Sequence, residues 1–180
     1  MISILMSIRE EHNKNIEAGL KLAELRTVVP KISTPFRVYT YESGKNGRRK
    51  VVNTWICDGI YRWNVSAGVP GQLIDMACVP ASYIQEYSNN GEKLIHALHI
   101  SNLEIFDKPL DISNFCTTDT DAVVSCPNRR QVYCDMYCDT GYLKAGFVCE
   151  ERDDWCIKCK KNPIVRPPQN WCYATLRTNN

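Results

Sequence analysis

A small mixed α+β barrel with short flanking helices is the fold class this sequence predicts, on three observations. Five or six stretches carry the alternating or continuous apolar pattern of strands. Only two stretches read as helices, and both are short. The chain opens strand, helix, strand, an order that lays a helix against a sheet from the start. A length of 180 residues allows one domain with an appendage, or two small ones. The hydrophobic fraction of 44% suffices for a core and argues against global disorder.

The elements follow in chain order. Ile2 to Ile8 is the first strand; this apolar run ends at Arg9, too short for a signal peptide's core and lacking its basic start. Arg9 to Ala18 is the first helix, with Ser7 as a candidate cap. Gly19 can take the left-handed conformation that closes it. Leu20 to Val29 is the second strand, and Pro30 to Pro35 a loop. Phe36 to Tyr41 sets Phe36, Val38 and Thr40 against Arg37, Tyr39 and Tyr41, a strand with one partly wet face. Glu42 to Lys50 is a hairpin loop with glycine turns. Val51 to Tyr61 is one further strand, with Trp55 and Cys57 on a shared face. Arg62 to Ala77 reads as irregular. Pro80 to Tyr87 opens on a proline and reads as the second helix. Leu94 to Phe106 is a long strand, bent by its length. Pro109 to Phe115 leads out of the domain, and Trp171 to Leu176 returns as a final strand.

Function must come from local groupings, because a net charge of +2 marks no nucleic-acid binder by itself. Glu24 and Arg26 lie two apart, so a strand points both to one face, with Lys21 at the preceding turn. Such a set either binds a polar ligand or is a surface ion pair worth under about 1 kcal/mol. Lys45, Arg48, Arg49 and Lys50 place four cations within six residues. They suit phosphates, and equally a solvated hairpin tip. Tyr39, Tyr41, Trp55, Tyr61 and Trp63 could stack on bases, although burial explains Trp55 as well. His96 and His99, three apart on a strand, face opposite ways and make a poor metal pair.

Ten cysteines in a chain with no membrane-length apolar run point to metal or free thiols before disulfides, and to a soluble, cytoplasmic protein. Cys134 and Cys138 form a C-x-x-x-C pair, and Cys156 and Cys159 a C-x-x-C pair. Two such pairs suit one structural zinc in a segment with little core of its own. Cys126 and Cys149 are substitute ligands. Free thiols and disulfides are the alternatives.

The run Gly19-x-Lys21-x-x-Glu24-x-Arg26, after a strand reading Ile2-Ser3-Ile4 and a first helix, resembles the G-x-K-x-x-E-x-R signature of the ASCH domain, a branch of the PUA-like superfamily. It is most similar to the phage and Firmicutes type. Further similar stretches are TPFRVYTY at Thr34 to Tyr41, WICDGI at Trp55 to Ile60, HISNLEIFDKPL at His99 to Leu110, and RPPQNWCY at Arg166 to Tyr173. The resemblance implies a PUA-like mixed β pseudo-barrel over residues 1–112, a cysteine-rich insert over 113–165, and a segment 166–180 returning to the barrel.

It also implies a nucleic-acid-binding module, for RNA or DNA, with Lys21, Glu24 and Arg26 at a cleft beside the first helix and second strand. Two other readings stand beside it. Some ASCH-like proteins resemble hydrolases of modified nucleosides that use a lysine, a threonine and a glutamate. Lys21 matches the lysine, but Glu24 stands where the threonine would be, which leaves only acid–base work for the pair. The third reading is cargo of a phage or mobile element that blocks a host defence nuclease such as an RNA-guided (CRISPR) nuclease, by binding the nuclease or DNA.

Overall fold

The structure, a computed structural model, describes residues 1–117 and 162–176. In order these form β1 (Ser3–Arg9), α1 (Glu10–Glu17), β2 (Ala23–Arg26), β3 (Phe36–Ser43), β4 (Val51–Cys57), β5 (Ile60–Trp63), α2 (Gly71–Ala77) and α3 (Ala81–Tyr87). Then come β6 (Ile95–His99), β7 (Ser101–Leu110), β8 (Phe115–Thr117), β9 (Asn162–Pro163) and β10 (Trp171–Leu176). The expected α+β class holds. Among the described residues one sheet runs β7-β4-β3-β1-β10-β8-β9 and a smaller one runs β2-β6-β5. Only the β1–β3 pair is parallel, so the larger sheet is mixed.

Two strands read as single from the sequence each divide between the sheets. The 51–61 stretch breaks at Asp58 and Gly59, and the 94–106 stretch at Ile100. Every residue of β4 is buried, whereas Asp58 is exposed, so the charge marks where the chain leaves the large sheet. Ile56 pairs with Ser101, which sets the two breaks side by side as one corner. A length-driven bend becomes a change of sheet. The second strand is also shorter than its apolar run, because Leu20 and Leu22 are exposed.

One core cluster lies between the sheets, with Ile4, Met6, Ile8, Phe36, Trp55 and Leu98. A second seals the outer face of the small sheet under α2 and α3, through Leu25, Leu73, Ile84 and Ala97. Helix α2 lies in a stretch read as irregular. Its signal is Leu73 and Ala77, four apart and both buried. Ser7 does not cap α1: the cap position is Arg9, without a side-chain bond, and Ser7 Oγ donates to Pro168 O at 2.6 Å. Strands β8 and β9 bring the sheet into both ends of the stretch expected as insert. The zinc candidates Cys134, Cys138, Cys156 and Cys159, with Cys126 and Cys149, lie outside the described residues. No helix among the described residues is long and apolar enough to cross a membrane.

Candidate functional site

Helix α1 ends as its glycine suggests. Gly19 sits at φ +70°, and the N–H groups of Leu20 and Lys21 both donate to Asn15 O at 2.9 and 3.0 Å. This reversal aims Lys21 inward. Its Nζ donates to Ala77 O, at the end of α2, at 2.7 Å, and lies 3.4 Å from Glu24 Oε2. Glu24 and Arg26 share a face of β2, and Arg26 Nη2 meets Glu24 Oε1 at 2.9 Å. The same Nη2 donates to Ser7 O of β1 at 2.8 Å. The three side chains are 2%, 7% and 11% exposed, which removes the reading of a surface ion pair. Two cations around one carboxylate leave one net positive charge. Arg26 Nε is buried with no hydrogen-bond partner.

These three residues line an open cleft of about 480 Å³. The side chains of His12 from α1 and Tyr83 and Tyr87 from α3 line it as well, as do Gln169 and Asn170 ahead of β10. His12 Nε2 lies 3.4 Å from Tyr83 OH, and the two rings meet edge to face. Burial lowers the His12 pKa below its ordinary 6.5, and the Lys21 charge adds to the shift against the pull of Glu24 and Glu11. His12 is therefore neutral at pH 7. Burial pushes the Tyr83 hydroxyl up. Tyr83 and Tyr87 stack at 6.1 Å. Sequence reasoning missed His12, Tyr83, Tyr87 and Asn170. Tyr83 and Tyr87, four apart on a helix read correctly, were the legible signal.

The basic loop behaves differently. Arg48 forks onto the buried Glu42, with Nε to Oε1 at 2.9 Å and Nη2 to Oε2 at 2.7 Å, and it also meets Glu17. Asn13 donates to Glu42 at 2.7 Å, and Asn53 donates to Asn13 at 2.8 Å. Burial pushes the Glu42 carboxyl up, but the bonds from Arg48 and Asn13 outweigh it and hold the pKa at about 2. Lys50 pairs with Asp111. Lys45 and Arg49 are exposed and make no ion pair among the described residues. The loop stays tight because a Cβ on Gly47 would meet Ser43 O at 2.5 Å.

Of the aromatic candidates, Trp55 and Tyr41 are core, and Trp55 Nε1 donates to Thr40 Oγ1 at 3.0 Å. Tyr39 packs edge to face on Phe115, Trp63 on the helix-covered core, and Tyr61 is exposed. His99 pairs with Asp58 at 2.6 Å across the corner, and His96 lies on the opposite face of β6. Cys57, Cys78, Cys116 and Cys172 are free thiols, and burial pushes Cys57 to about 12 and Cys172 to about 11. The described residues hold no group of metal-ligating side chains.

Solved structures of an ASCH protein from Zymomonas mobilis share this architecture. The unaltered protein superposes with a TM-score of 0.50 at 18% identity, covering 61% of this chain and 73% of that one. A serine-to-alanine variant gives 0.52 at 16% identity, over 61% and 73% of the two chains. A tyrosine-to-phenylalanine variant gives 0.51 at 17%, over 61% and 76%. At this identity the likeness shows the fold, an ASCH-type mixed sheet with short helices. No protein-family model matches the sequence, and no curated protein matches it significantly.

Proposed function

We propose that this protein is a nucleic-acid-binding module of ASCH type, taking RNA in the cleft between α1, β2 and α3. One observation carries the reading: Lys21, Glu24 and Arg26 converge, nearly buried, on an open cleft and leave one net positive charge there. Charges this buried persist when a ligand or a fold demands them, and Arg26 Nε has no partner in the fold. The tyrosines on α3 supply aromatic surface beside this charge, the pairing single-stranded nucleic acid uses. The signature and the similar stretches in order support the phage or Firmicutes type for this module.

In the loop, Arg48 and Lys50 are engaged by carboxylates, so Lys45 and Arg49 are the residues proposed to meet phosphate. Neutral His12 near Lys21 keeps hydrolysis of a modified nucleoside as a second reading, with Lys21 and Glu24 moving the proton. Arg26→Lys tests the primary reading. It keeps the charge but removes Nε and the planar fork. Binding of a fluorescein-labelled single-stranded RNA should weaken about tenfold with little change in melting temperature. Unaltered affinity would refute the cleft as the site.

A further inference from the structure

The inner cleft carries acceptors as well as donors, and that balance selects among the parts of a nucleic acid. Strand β2 is an edge strand, bonded only to β6. Ile100 N donates to Leu22 O, and His99 N to Gly59 O, both at 2.9 Å. In an antiparallel ladder these bonds fix the alternation: Leu98 and His96 bond to β2, Ala97 and His99 to β5. Glu24 and Arg26 therefore commit their main-chain groups to β6. The N–H and C=O of Leu25 point off the free edge, where Leu25 lines the cleft.

Across from this edge, Asn170 is fixed by its own main chain, whose carbonyl accepts from Ser7 N at 3.0 Å. Arg26 is fixed on the same residue through Ser7 O at 2.8 Å. Asn170 Oδ1 and Arg26 Nε are both buried with no partner. The cleft thus offers two donors, Leu25 N–H and Arg26 Nε–H, and two acceptors, Leu25 C=O and Asn170 Oδ1.

We propose that Asn170 and the free edge of β2 at Leu25 make the inner cleft a nucleobase-edge reader that rejects the phosphodiester. This rests on the RNA-binding reading above. A phosphodiester carries only acceptors, so seated here it would leave both cleft acceptors desolvated and unpaired. A base edge carries an N–H or amino donor beside a carbonyl or ring-nitrogen acceptor, and matches both halves. Those groups are free only in an unpaired base, so the ligand is single-stranded.

The test compares a single-stranded oligoadenylate with an abasic ribose-phosphate chain of the same length. Wild-type protein should prefer the base-bearing strand at least tenfold. Asn170→Ala should lower that affinity about fivefold to tenfold, leave the weak abasic binding and its salt slope unchanged, and so shrink the preference. Asn170→Asp keeps the acceptor and should retain the preference while weakening the abasic strand further. Both variants should melt as wild type, since the Ser7 bond comes from the main chain. Equal loss on both strands, or no loss, would overturn the assignment of Asn170 while leaving RNA binding standing. A wild type that binds neither strand would overturn the RNA reading itself.

Discussion

Glu24 holds two cations in place, so its charge matters more to folding than a surface carboxylate's would. Glu24→Gln leaves Lys21 and Arg26 nearly buried with no counter-charge, and should lower stability by about 3 kcal/mol in urea denaturation. An unchanged midpoint would mean that water, not Glu24, solvates the pair. His12 makes a second forecast. Its folded pKa lies below the ordinary 6.5, so folding favours the neutral ring. That contribution is fully present above about pH 6.5 and is lost as pH falls through the lower folded value. The stability difference between wild type and His12→Gln should therefore narrow from pH 7 toward pH 5; a constant difference would contradict the burial of the ring. At this scale the sequence revealed the charged half of the site, because spacing two on a strand dictates a shared face. It did not reveal Asn170, whose place depends on a strand returning from more than a hundred residues away.

Among the elements, the β3–β4 loop changes meaning once folded. Four cations in six residues look alike in sequence, yet Arg48 ties the loop to α1 through Glu42 and Glu17. Arg48→Ala should cost about 2 kcal/mol, less than a fully buried pair because the guanidinium is 40% exposed. Glu42 adds an acid dependence: its stabilisation is present above its ordinary 4.5 and is lost as pH falls toward about 2. Lys45→Ala with Arg49→Ala should leave stability unchanged and flatten the salt dependence of RNA affinity by up to about two phosphate contacts. An unchanged slope would make the loop a solvated tip. The elements themselves were largely readable. β10 falls at Trp171–Leu176 as its apolar pattern predicts, and α3 begins just after Pro80. The failures were the sheet changes at Asp58 and Ile100, since an apolar run does not reveal which sheet its residues join.

For the whole molecule, the order of strands decides what the cleft depends on. β10 lies between β1 and β8, and the residues just ahead of it build one cleft wall. β8 and β9 pair directly, Cys116 opposite Pro163, so the sheet itself holds the two ends of the 118–161 stretch together. Replacing 118–161 with a short glycine–serine linker should therefore keep the sheet and raise stability by up to about 2 kcal/mol, as a shorter loop closes at lower entropy cost. Loss of folding would mean that the stretch supports the core. The two cysteine pairs within it lead us to expect about one zinc per chain in purified protein, and less than half an equivalent would contradict that expectation. The central claim is that RNA enters the cleft between α1, β2 and α3. Photo-crosslinking single-stranded RNA that carries 4-thiouridine, with mass spectrometry of the linked peptides, tests it most directly. The account predicts adducts in the peptides that carry Tyr83 and Asn170, lost on Arg26→Lys; adducts confined to the peptide of the 44–50 loop, or to Tyr61 at the far edge, would contradict it.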